Sequence, residues 1–322
     1  MINLAGMMGI GDSIHERAIV RALMLRDRVT LETSWPCLWH DLVGPRLTIV
    51  PRRSGMRTQA KSEAREAGLF TGRQLSGPGL RVWYSHDQIR ATGSFLAAMA
   101  LNCGVKVAPA DFRLPIADAW AESARGWIDR WQPDRPLMIY RPLVERAEWV
   151  GGAQRNPDHA AYAELVRSVR ARYFVVSVAD LAPKLEWQAG IDILPDATCH
   201  AAELDIGTLA ALTARAGLMF CSPGFALVLV QAVGTPLVAV FGGHESARFY
   251  DHGDPRNLLI SPIAPCECFN KAHNCDKRID MPRALAALKG FCDKTCPTDH
   301  DAPDSQSRRA SDLAPADTAA VF

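Results

Sequence analysis

The residues best suited to bind an anion lie in a turn of small residues, 222–224, between an apolar run and a helical stretch that begins at Phe225. A second apolar run, 237–241, follows the helix after a Gly-Thr-Pro break. Strand, turn, helix and strand in this order predict a βαβ unit of a parallel sheet. Backbone N–H groups at Ser222, Gly224 and Phe225, with the helix dipole, can hold phosphate groups. We therefore expect a ligand that carries a nucleotide at this turn.

A carboxylate follows a second turn of small residues, near the N-terminus. An apolar run leads into Gly6, Gly9 and Gly11, and Asp12 comes directly after them, where a helical stretch to about residue 25 begins. On spacing alone Asp12 has two interpretations, as the cap of that helix or as a general base that takes a proton from a bound hydroxyl.

Charged side chains follow two other predicted strands. Arg141 and Arg146 come after the strand 137–140, and His244 and Glu245 come after the apolar run that ends the βαβ unit. The carboxyl ends of parallel strands meet at one edge of a sheet, where such sheets bind ligands. We predict that these four side chains contact a diphosphate or a sugar, with ordinary solvated loop residues as the alternative.

Two carboxylates, Glu203 and Asp205, precede the helical stretch 206–214. A carboxylate in such a loop can bind the hydroxyl groups of a ribose, and we assign that role to Glu203. Asp205 fits better as the cap of the helix that follows it.

Cysteines cluster late in the chain, in a pattern that could begin a zinc site. Its members are Cys266, Cys268 and Cys275, completed to four ligands by Cys292, by Cys296 or by His273. We take Cys266, Cys268, Cys275 and Cys292 as the candidate set. Zinc sites favour Cys-x2-Cys pairs, so the spacing fits imperfectly and free thiols are the alternative.

No carboxylate motif for a catalytic metal is evident from the sequence. The pattern Asp-x-Asp occurs only at 299–301, beyond the predicted fold. Any diphosphate would then be neutralised by N–H groups and side-chain cations, which favours chemistry without a metal ion or other cofactor.

Strands and helices alternate along most of the chain, which predicts an α/β fold with parallel sheets. The proline-rich segment 131–136 interrupts this alternation and predicts a linker. We expect a Rossmann-like N-terminal domain over 1–131 and a second such domain over 132–297. Residues 298–322 are rich in Asp, Ser, Pro and Ala and predict a disordered tail. Two such domains would enclose a cleft for ligands.

The elements can be assigned from apolar runs and helical patterns. The predicted strands are 2–5, 29–33, 47–50, 80–83, 105–107, 137–140, 173–178, 191–194, 218–221 and 237–241. The predicted helices are 12–25, 94–101, 116–130, 159–172, 206–214, 225–233 and 282–291.

Composition excludes several classes of protein. The chain has 322 residues, a formal net charge of +1 and 48% hydrophobic residues. The balanced charge disfavours nucleic-acid binding, and the odd number of cysteines, nine, disfavours a disulfide framework. The N-terminal stretch lacks the pattern of a signal peptide, and no uninterrupted run reaches the ~20 apolar residues of a membrane span. We expect a cytoplasmic protein.

Four segments stand in order along the chain and together resemble one family. They are GMMGIGDSIHERAIVRAL, PLMIYRPLVERAEW, ALTARAGLMFCSPGFALVLVQAVGTPLVAVFGG and SPIAPCECFNKAHNCDKRIDM. The sequence resembles glycosyltransferase family nine, the ADP-heptose:lipopolysaccharide heptosyltransferase group. The resemblance covers most of 1–292 and is strongest over 206–281. It implies the GT-B fold, in which two Rossmann-like domains face each other across a cleft.

The resemblance also implies an activity, inverting transfer of a sugar from a nucleoside-diphosphate donor such as ADP-heptose. It assigns the catalytic base to Asp12, and it puts Gly9 and Gly11 on the acceptor side of the cleft. The acceptor in this family is a lipid-linked or cell-surface glycan that is made at the cytoplasmic face of the membrane. Peripheral contact with a membrane follows as an expectation.

At one motif the sequence differs from the family. The family has Asp-Ser-Gly-Pro-x-His, or a close variant, before the donor helix. Counted back from the Gly-Thr-Pro break, its Asp falls on Pro223 and its His on Val228. The backbone phosphate site is kept and the two polar side chains are not. The missing Asp and His suggest one alternative, a catalytically silent protein that binds nucleotide sugars. A nucleotide-sugar epimerase of GT-B fold is a second alternative.

Overall fold

The computed structural model describes residues 1–53, 79–147, 155–270 and 272–295. The predicted disordered tail, 298–322, lies outside the described residues. We call the described residues before 137 the N-terminal half and those from 137 onward the C-terminal half. The division into domains at residue 131 stays a prediction.

The N-terminal half is built on a four-stranded parallel sheet of order β3-β2-β1-β4. Its strands are β1 (Ile2–Ala5), β2 (Val29–Thr33), β3 (Leu47–Pro51) and β4 (Leu80–Arg81). Its helices are α1 (Ile10–Met24), α2 (His86–Thr92), α3 (Phe95–Asn102) and α4 (Asp118–Trp131). Strands β2 and β3 extend the sheet on one side of β1, and β4 is added on the other side. The connections therefore leave in opposite directions, and a crevice opens between the carboxyl ends of β1 and β4.

The C-terminal half contains a six-stranded parallel sheet of order β12-β11-β10-β5-β7-β9. Its strands are β5 (Leu137–Tyr140), β7 (Phe174–Val178), β9 (Ala197–Cys199), β10 (Leu218–Cys221), β11 (Leu237–Val240) and β12 (Asn257–Ile260). Its helices are α5 (His159–Arg170), α6 (Ile206–Arg215), α7 (Phe225–Val233) and α8 (Met281–Thr295). Counted along the chain, these six strands take the order 6-5-4-1-2-3 of a dinucleotide-binding sheet, whose crevice opens between β5 and β10.

The central strands of this second sheet are apolar along their whole length because helices cover both faces. Every residue of β5, β10 and β11 is buried. This is the pattern expected of strands in a parallel sheet, in contrast to the alternation of a half-exposed strand. The same feature made these strands readable in the sequence.

Two apolar clusters hold the fold together. One runs through both halves and includes Ile14 and Ile19 of α1 with Leu227 and Val230 of α7. The other lies between the second sheet and helices α5 and α8. The two halves are therefore joined by a continuous core and not by a linker alone.

Two strand predictions are wrong, and several strands were not predicted. The predicted strand 191–194 is a loop, and the neighbouring strand is β9; Leu194 has φ 52° and its N–H donates to the Asp192 side chain, a turn that no strand accommodates. The predicted strand 105–107 is also a loop. A short antiparallel pair, β6 (Val144–Arg146) with β8 (Glu186–Gln188), and strand β12 were not predicted.

None of the described helices combines the length and the apolar composition needed to cross a bilayer.

Candidate active site

The crevices of the two sheets open into one cavity of about 770 Å³. Its lining comes from loops at the carboxyl ends of strands in both halves, including Asp12, Tyr84, Arg141, Gly224 and Glu245. A cavity of this size matches the range of small-molecule sites, and its position matches the rule for ligand sites in parallel sheets.

Asp12 occupies the third position of α1 and does not cap it. The N-cap is Gly9, with no side-chain hydrogen bond at that position. Instead Asp12 Oδ1 accepts a hydrogen bond of 3.0 Å from the hydroxyl of Tyr84, across the crevice between β1 and β4. Burial raises the pKa of Asp12 to about 6, partly offset by the Tyr84 hydrogen bond and the positive charge of Arg155. The geometry therefore disagrees with the capping interpretation and fits a base.

Gly9 and Gly11, which are predicted to lie on the acceptor side, both line the cavity, and each one allows a close approach. A Cβ atom at Gly9 would lie 2.6 Å from Asp12 Oδ2. A Cβ atom at Gly11 would lie 3.3 Å from the Cα of Phe225, so the N-terminal ends of α1 and α7 touch here. Glycine at these positions leaves room for the carboxylate and for contact between the halves.

A second carboxylate on α1, Glu16, escaped the sequence analysis. It is fully buried one turn after Asp12, and its Oε2 accepts a hydrogen bond of 3.3 Å from the N–H of Met7 in the glycine-rich turn. Burial raises its pKa to about 8, with a further contribution from the charge of Asp12. At neutral pH Glu16 is mostly protonated, so it fixes the turn and leaves Asp12 as the charged carboxylate of the pair.

The predicted phosphate turn lies at the N-terminus of α7. Ser222, Gly224 and Phe225 all line the cavity. Gly224 is the N-cap, with φ 141° and ψ −161°, a conformation essentially restricted to glycine. Having no side chain, it cannot cap the first N–H groups of α7, which are left available to a ligand at the positive end of the helix dipole.

The two predicted arginines both line the cavity, and both already have protein partners. Arg141 donates through Nη1 to the carbonyl of Val178, 3.0 Å away, at the end of β7. Burial lowers the pKa of Arg141, yet a guanidinium stays protonated in proteins. Arg146 forms a 2.8 Å ion pair through Nε with the buried carboxylate of Glu186.

His244 and Glu245 also line the cavity, as predicted for residues after β11. Glu245 is buried and accepts hydrogen bonds from Arg155 Nε at 2.6 Å and from the Tyr250 hydroxyl at 3.0 Å. His244 has φ 68°, which is uncommon for a residue other than glycine. Burial lowers the pKa of His244 from its ordinary value, which favours the neutral imidazole.

Sequence analysis missed Tyr84 and Arg155 as site residues. Tyr84 follows the predicted strand 80–83 directly, so the strand-end rule that selected Arg141 could have found it. Arg155 precedes the N-cap of α5 at Asp158 and has no motif of its own. Its role becomes visible only when the fold brings it against Glu245.

The two carboxylates before α6, Glu203 and Asp205, accept hydrogen bonds from different parts of the backbone. Asp205 caps the helix, because its side chain accepts a 2.7 Å hydrogen bond from the N–H of Thr208. Glu203 is exposed and outside the cavity lining, and its carboxylate accepts a hydrogen bond from the N–H of Ala201. The assignment of Glu203 to donor binding is therefore corrected: a local turn occupies its side chain.

Three of the late cysteines lie close to a histidine, and Cys292 is not among them. Ligand atoms of Cys266, Cys268, His273 and Cys275 all lie within 4.8 Å of one another. Cys292 is fully buried in the second apolar cluster, on α8, and is not a member of the group. The candidate set predicted with Cys292 therefore differs from the observed group in its fourth member, since α8 packs that thiol into the core and His273 lies in its place.

Comparisons with known proteins bear on the fold. No protein-family model matches the chain, and no curated protein matches it. Solved structures do match. A glycosyl transferase family 9 protein from Veillonella parvula DSM 2008 is 13% identical, with 90% of this chain and 96% of that chain covered and a TM-score of 0.55.

The glycosyltransferase TibC also matches, in two structures. The iron-containing dodecameric protein from enterotoxigenic E. coli H10407 is 12% identical, with a TM-score of 0.55 and coverage of 91% of this chain and 75% of that one. TibC in complex with ADP-D-beta-D-heptose is 14% identical, with a TM-score of 0.55 and coverage of 91% and 76%. At these identities the likeness establishes the fold, and the expectation of a GT-B architecture is confirmed.

Proposed function

We propose that this chain is an inverting glycosyltransferase of the family-nine type. It would move a sugar from a nucleoside-diphosphate donor to a hydroxyl group of a glycan or glycolipid. One observation carries the proposal: a carboxylate of pKa about 6, Asp12, shares one cavity with the uncapped N-terminus of α7. The first group can accept a proton, and the second can bind a diphosphate.

The reaction assigns each group a part. An acceptor hydroxyl oxygen attacks the anomeric carbon from the side opposite the diphosphate, and the bond between that carbon and the phosphate oxygen breaks with inversion. The hydroxyl proton passes to Asp12, whose Oδ1 is oriented by Tyr84. A base whose pKa lies near working pH is suited to this transfer.

The leaving diphosphate needs positive partners, and this chain offers several. The residues at the start of α7, with their free N–H groups, and Arg141 line the same cavity. Such fixed donors stabilise the charge that develops as the bond breaks. We propose on this basis that the transfer step requires no metal ion.

The donor belongs to the same proposal. TibC has been solved with ADP-D-beta-D-heptose, which makes ADP-heptose the first donor to test. Where the family has Asp and His before the donor helix, this chain has Pro223 and Val228. Polar contacts to the sugar would come instead from His244 and from the Arg155–Glu245 pair. The glycolipid acceptor and contact with a membrane face rest on the family resemblance.

Titration calorimetry with ADP-, UDP- and GDP-sugars, followed by a donor hydrolysis assay, tests the proposal. We expect one nucleotide sugar to bind and to be hydrolysed slowly without acceptor. Interconversion of the sugar with no loss of nucleotide would indicate an epimerase. Binding without any turnover would indicate a silent binding protein. If none of these nucleotide sugars binds, the proposal and both alternatives are overturned.

A further inference from the structure

The Cys/His group defined by Cys266, Cys268, His273 and Cys275 has the dimensions of a metal site. Cys268 Sγ and Cys275 Sγ are 3.7 Å apart, Cys266 Sγ is 3.5 Å from His273 Nδ1, and His273 Nδ1 is 3.3 Å from Cys275 Sγ. A tetrahedral zinc with metal–sulfur bonds of ~2.3 Å has sulfur–sulfur edges of about 3.8 Å. These three separations match the edges of such a tetrahedron, and all four ligand atoms lie within 4.8 Å of one another.

The surroundings of the sulfur atoms fit thiolates. The N–H of Asn270 points at Cys268 Sγ from 3.4 Å, and the N–H of His244 points at Cys275 Sγ from 3.3 Å. Donors of this kind stabilise negative charge on sulfur. The described cysteines are free thiols, and 3.7 Å is far beyond the ~2.05 Å of a disulfide bond.

We propose that these four side chains bind one structural zinc ion. Three thiolates and one imidazole form a closed set of the Cys3His type, which zinc occupies without an open position for catalysis. His273 would bind through Nδ1, the nitrogen that faces the sulfur atoms. This site is separate from the transfer step, because none of the four residues lines the cavity.

The zinc site would hold the His244 loop in its active shape. Both His244, at φ 68°, and Phe269, at φ 50°, adopt a left-handed conformation that costs free energy for residues other than glycine. His244 is fixed on both sides by this segment, since its N–H donates to Cys275 Sγ and its carbonyl accepts from the N–H of Phe269 at 2.9 Å. Binding of the ion would supply the free energy that keeps both strained residues in place.

The same segment reaches the N-terminal half. The Phe269 ring stacks on His86 of α2 at 4.3 Å, and Arg90 Nη1 donates to the carbonyl of Glu267 at 3.1 Å. The segment that carries the four ligands therefore contacts α2 of the N-terminal half as well as His244 of the C-terminal half. We infer that zinc organises the cavity as well as the loop that binds the ion.

Elemental analysis of the full chain, purified without metal-affinity chromatography, tests the site directly. We expect about one zinc per chain, and after exchange with cobalt the intense visible bands of a tetrahedral thiolate complex. His273→Ala and Cys268→Ser should lose the metal, whereas Cys292→Ala, a matched cysteine of the core, should keep it. Zinc-free protein, stoichiometric iron in place of zinc, or metal retained in His273→Ala and lost in Cys292→Ala would each overturn the assignment.

The effect on the cavity has its own test. Zinc removal by a chelator should lower the unfolding temperature and, under the proposed function, weaken nucleotide binding, with both restored when zinc is added back. This second effect rests on the proposed function, whereas zinc content and unfolding temperature do not. An unfolding temperature unchanged by zinc removal would contradict a structural role.

Discussion

At the scale of single residues, Asp12 and Glu16 lie one helical turn apart and differ in protonation state near neutral pH. Burial raises the pKa of Asp12 to about 6 and that of Glu16 to about 8. Asp12 keeps the Tyr84 hydrogen bond and an electrostatic contribution from Arg155, which favour its charged form. Near neutral pH α1 thus presents one negative charge to the cavity, on the residue that faces it. Neighbouring carboxylates with such different pKa values are typical of sites in which one group is an acid and the other is a base.

Replacement of Asp12, the proposed base, gives the first prediction. Asp12→Asn keeps an oxygen for the Tyr84 hydroxyl and removes the proton acceptor, so turnover should fall by about 100-fold to 10,000-fold. The folded state should not suffer, because a neutral amide costs less to bury than a charged carboxylate. Steady-state kinetics and the unfolding temperature at pH 7 check both parts. Near-wild-type turnover would remove Asp12 from the mechanism.

The acid side of the pH profile gives the second prediction. The proposed base must be ionised to accept a proton, and the folded pKa of Asp12 is raised to about 6, so kcat/KM should fall as pH drops through about 6. The Tyr84 hydrogen bond lowers that pKa. Tyr84→Phe should therefore move the acid limb to higher pH. A limb that stays at the same pH in Tyr84→Phe would assign it to another group.

At the scale of elements, the N-terminus of α7 depends on the backbone of Gly224. A Cβ atom there would meet nothing within 4 Å, so Gly224→Ala is not a steric change. Its cost comes from φ 141°, a strain of ~1–3 kcal/mol for a residue with a side chain. Relief of that strain would turn the first N–H groups of α7 away from the ligand. We expect nucleotide binding weakened by about 10-fold or more.

The control for this change is Gly126→Ala. Gly126 is exposed in the middle of α4, and a Cβ atom there also meets nothing within 4 Å. Alanine favours a helix, so this variant should be neutral or slightly stabilising and should bind nucleotide normally. Calorimetric affinities of the two variants separate the two cases. Equal affinity in both would mean that the conformation of Gly224 does not matter for binding.

Elements were predictable where burial left a clear pattern. Strands such as β5 and β10 are apolar throughout, and their turns and helices follow from glycine and proline. Strand β9 escaped notice because it has only three residues, one of them exposed, beside the more apolar loop 191–194. Partners such as Arg155 and Glu245 are 90 positions apart, and only the fold brings them together.

At the scale of the whole molecule, the cavity exists because two sheets turn their crevices toward each other. The Tyr84–Asp12 bond spans the crevice between β1 and β4, and Arg141 and Gly224 stand on either side of the crevice between β5 and β10. The halves also meet where Gly11 of α1 faces Phe225 of α7. The missing side chain at Gly11 therefore lets the N-terminal ends of α1 and α7 approach each other.

Enlargement of Gly11 tests this spacing. Its Cβ would lie 3.3 Å from a backbone atom, the Phe225 Cα, which cannot move aside as a flexible side chain could. Gly11→Leu should push α1 and α7 apart, so that one substrate can no longer contact both walls. We expect transfer to fall at least about tenfold, a loss of roughly 1.4 kcal/mol in transition-state stabilisation. The proton acceptor itself is still present in this variant.

Gly126→Leu is the matched control, because it adds the same side chain to an exposed site on α4, outside the cavity lining. It should retain transfer and the unfolding temperature of the wild type. Nucleotide affinity then locates the defect in Gly11→Leu. Loss of transfer with most of the affinity kept would mean that α7 still binds the diphosphate while α1 has moved the base away. Full transfer in Gly11→Leu would show that catalysis does not depend on the contact between these two helix ends.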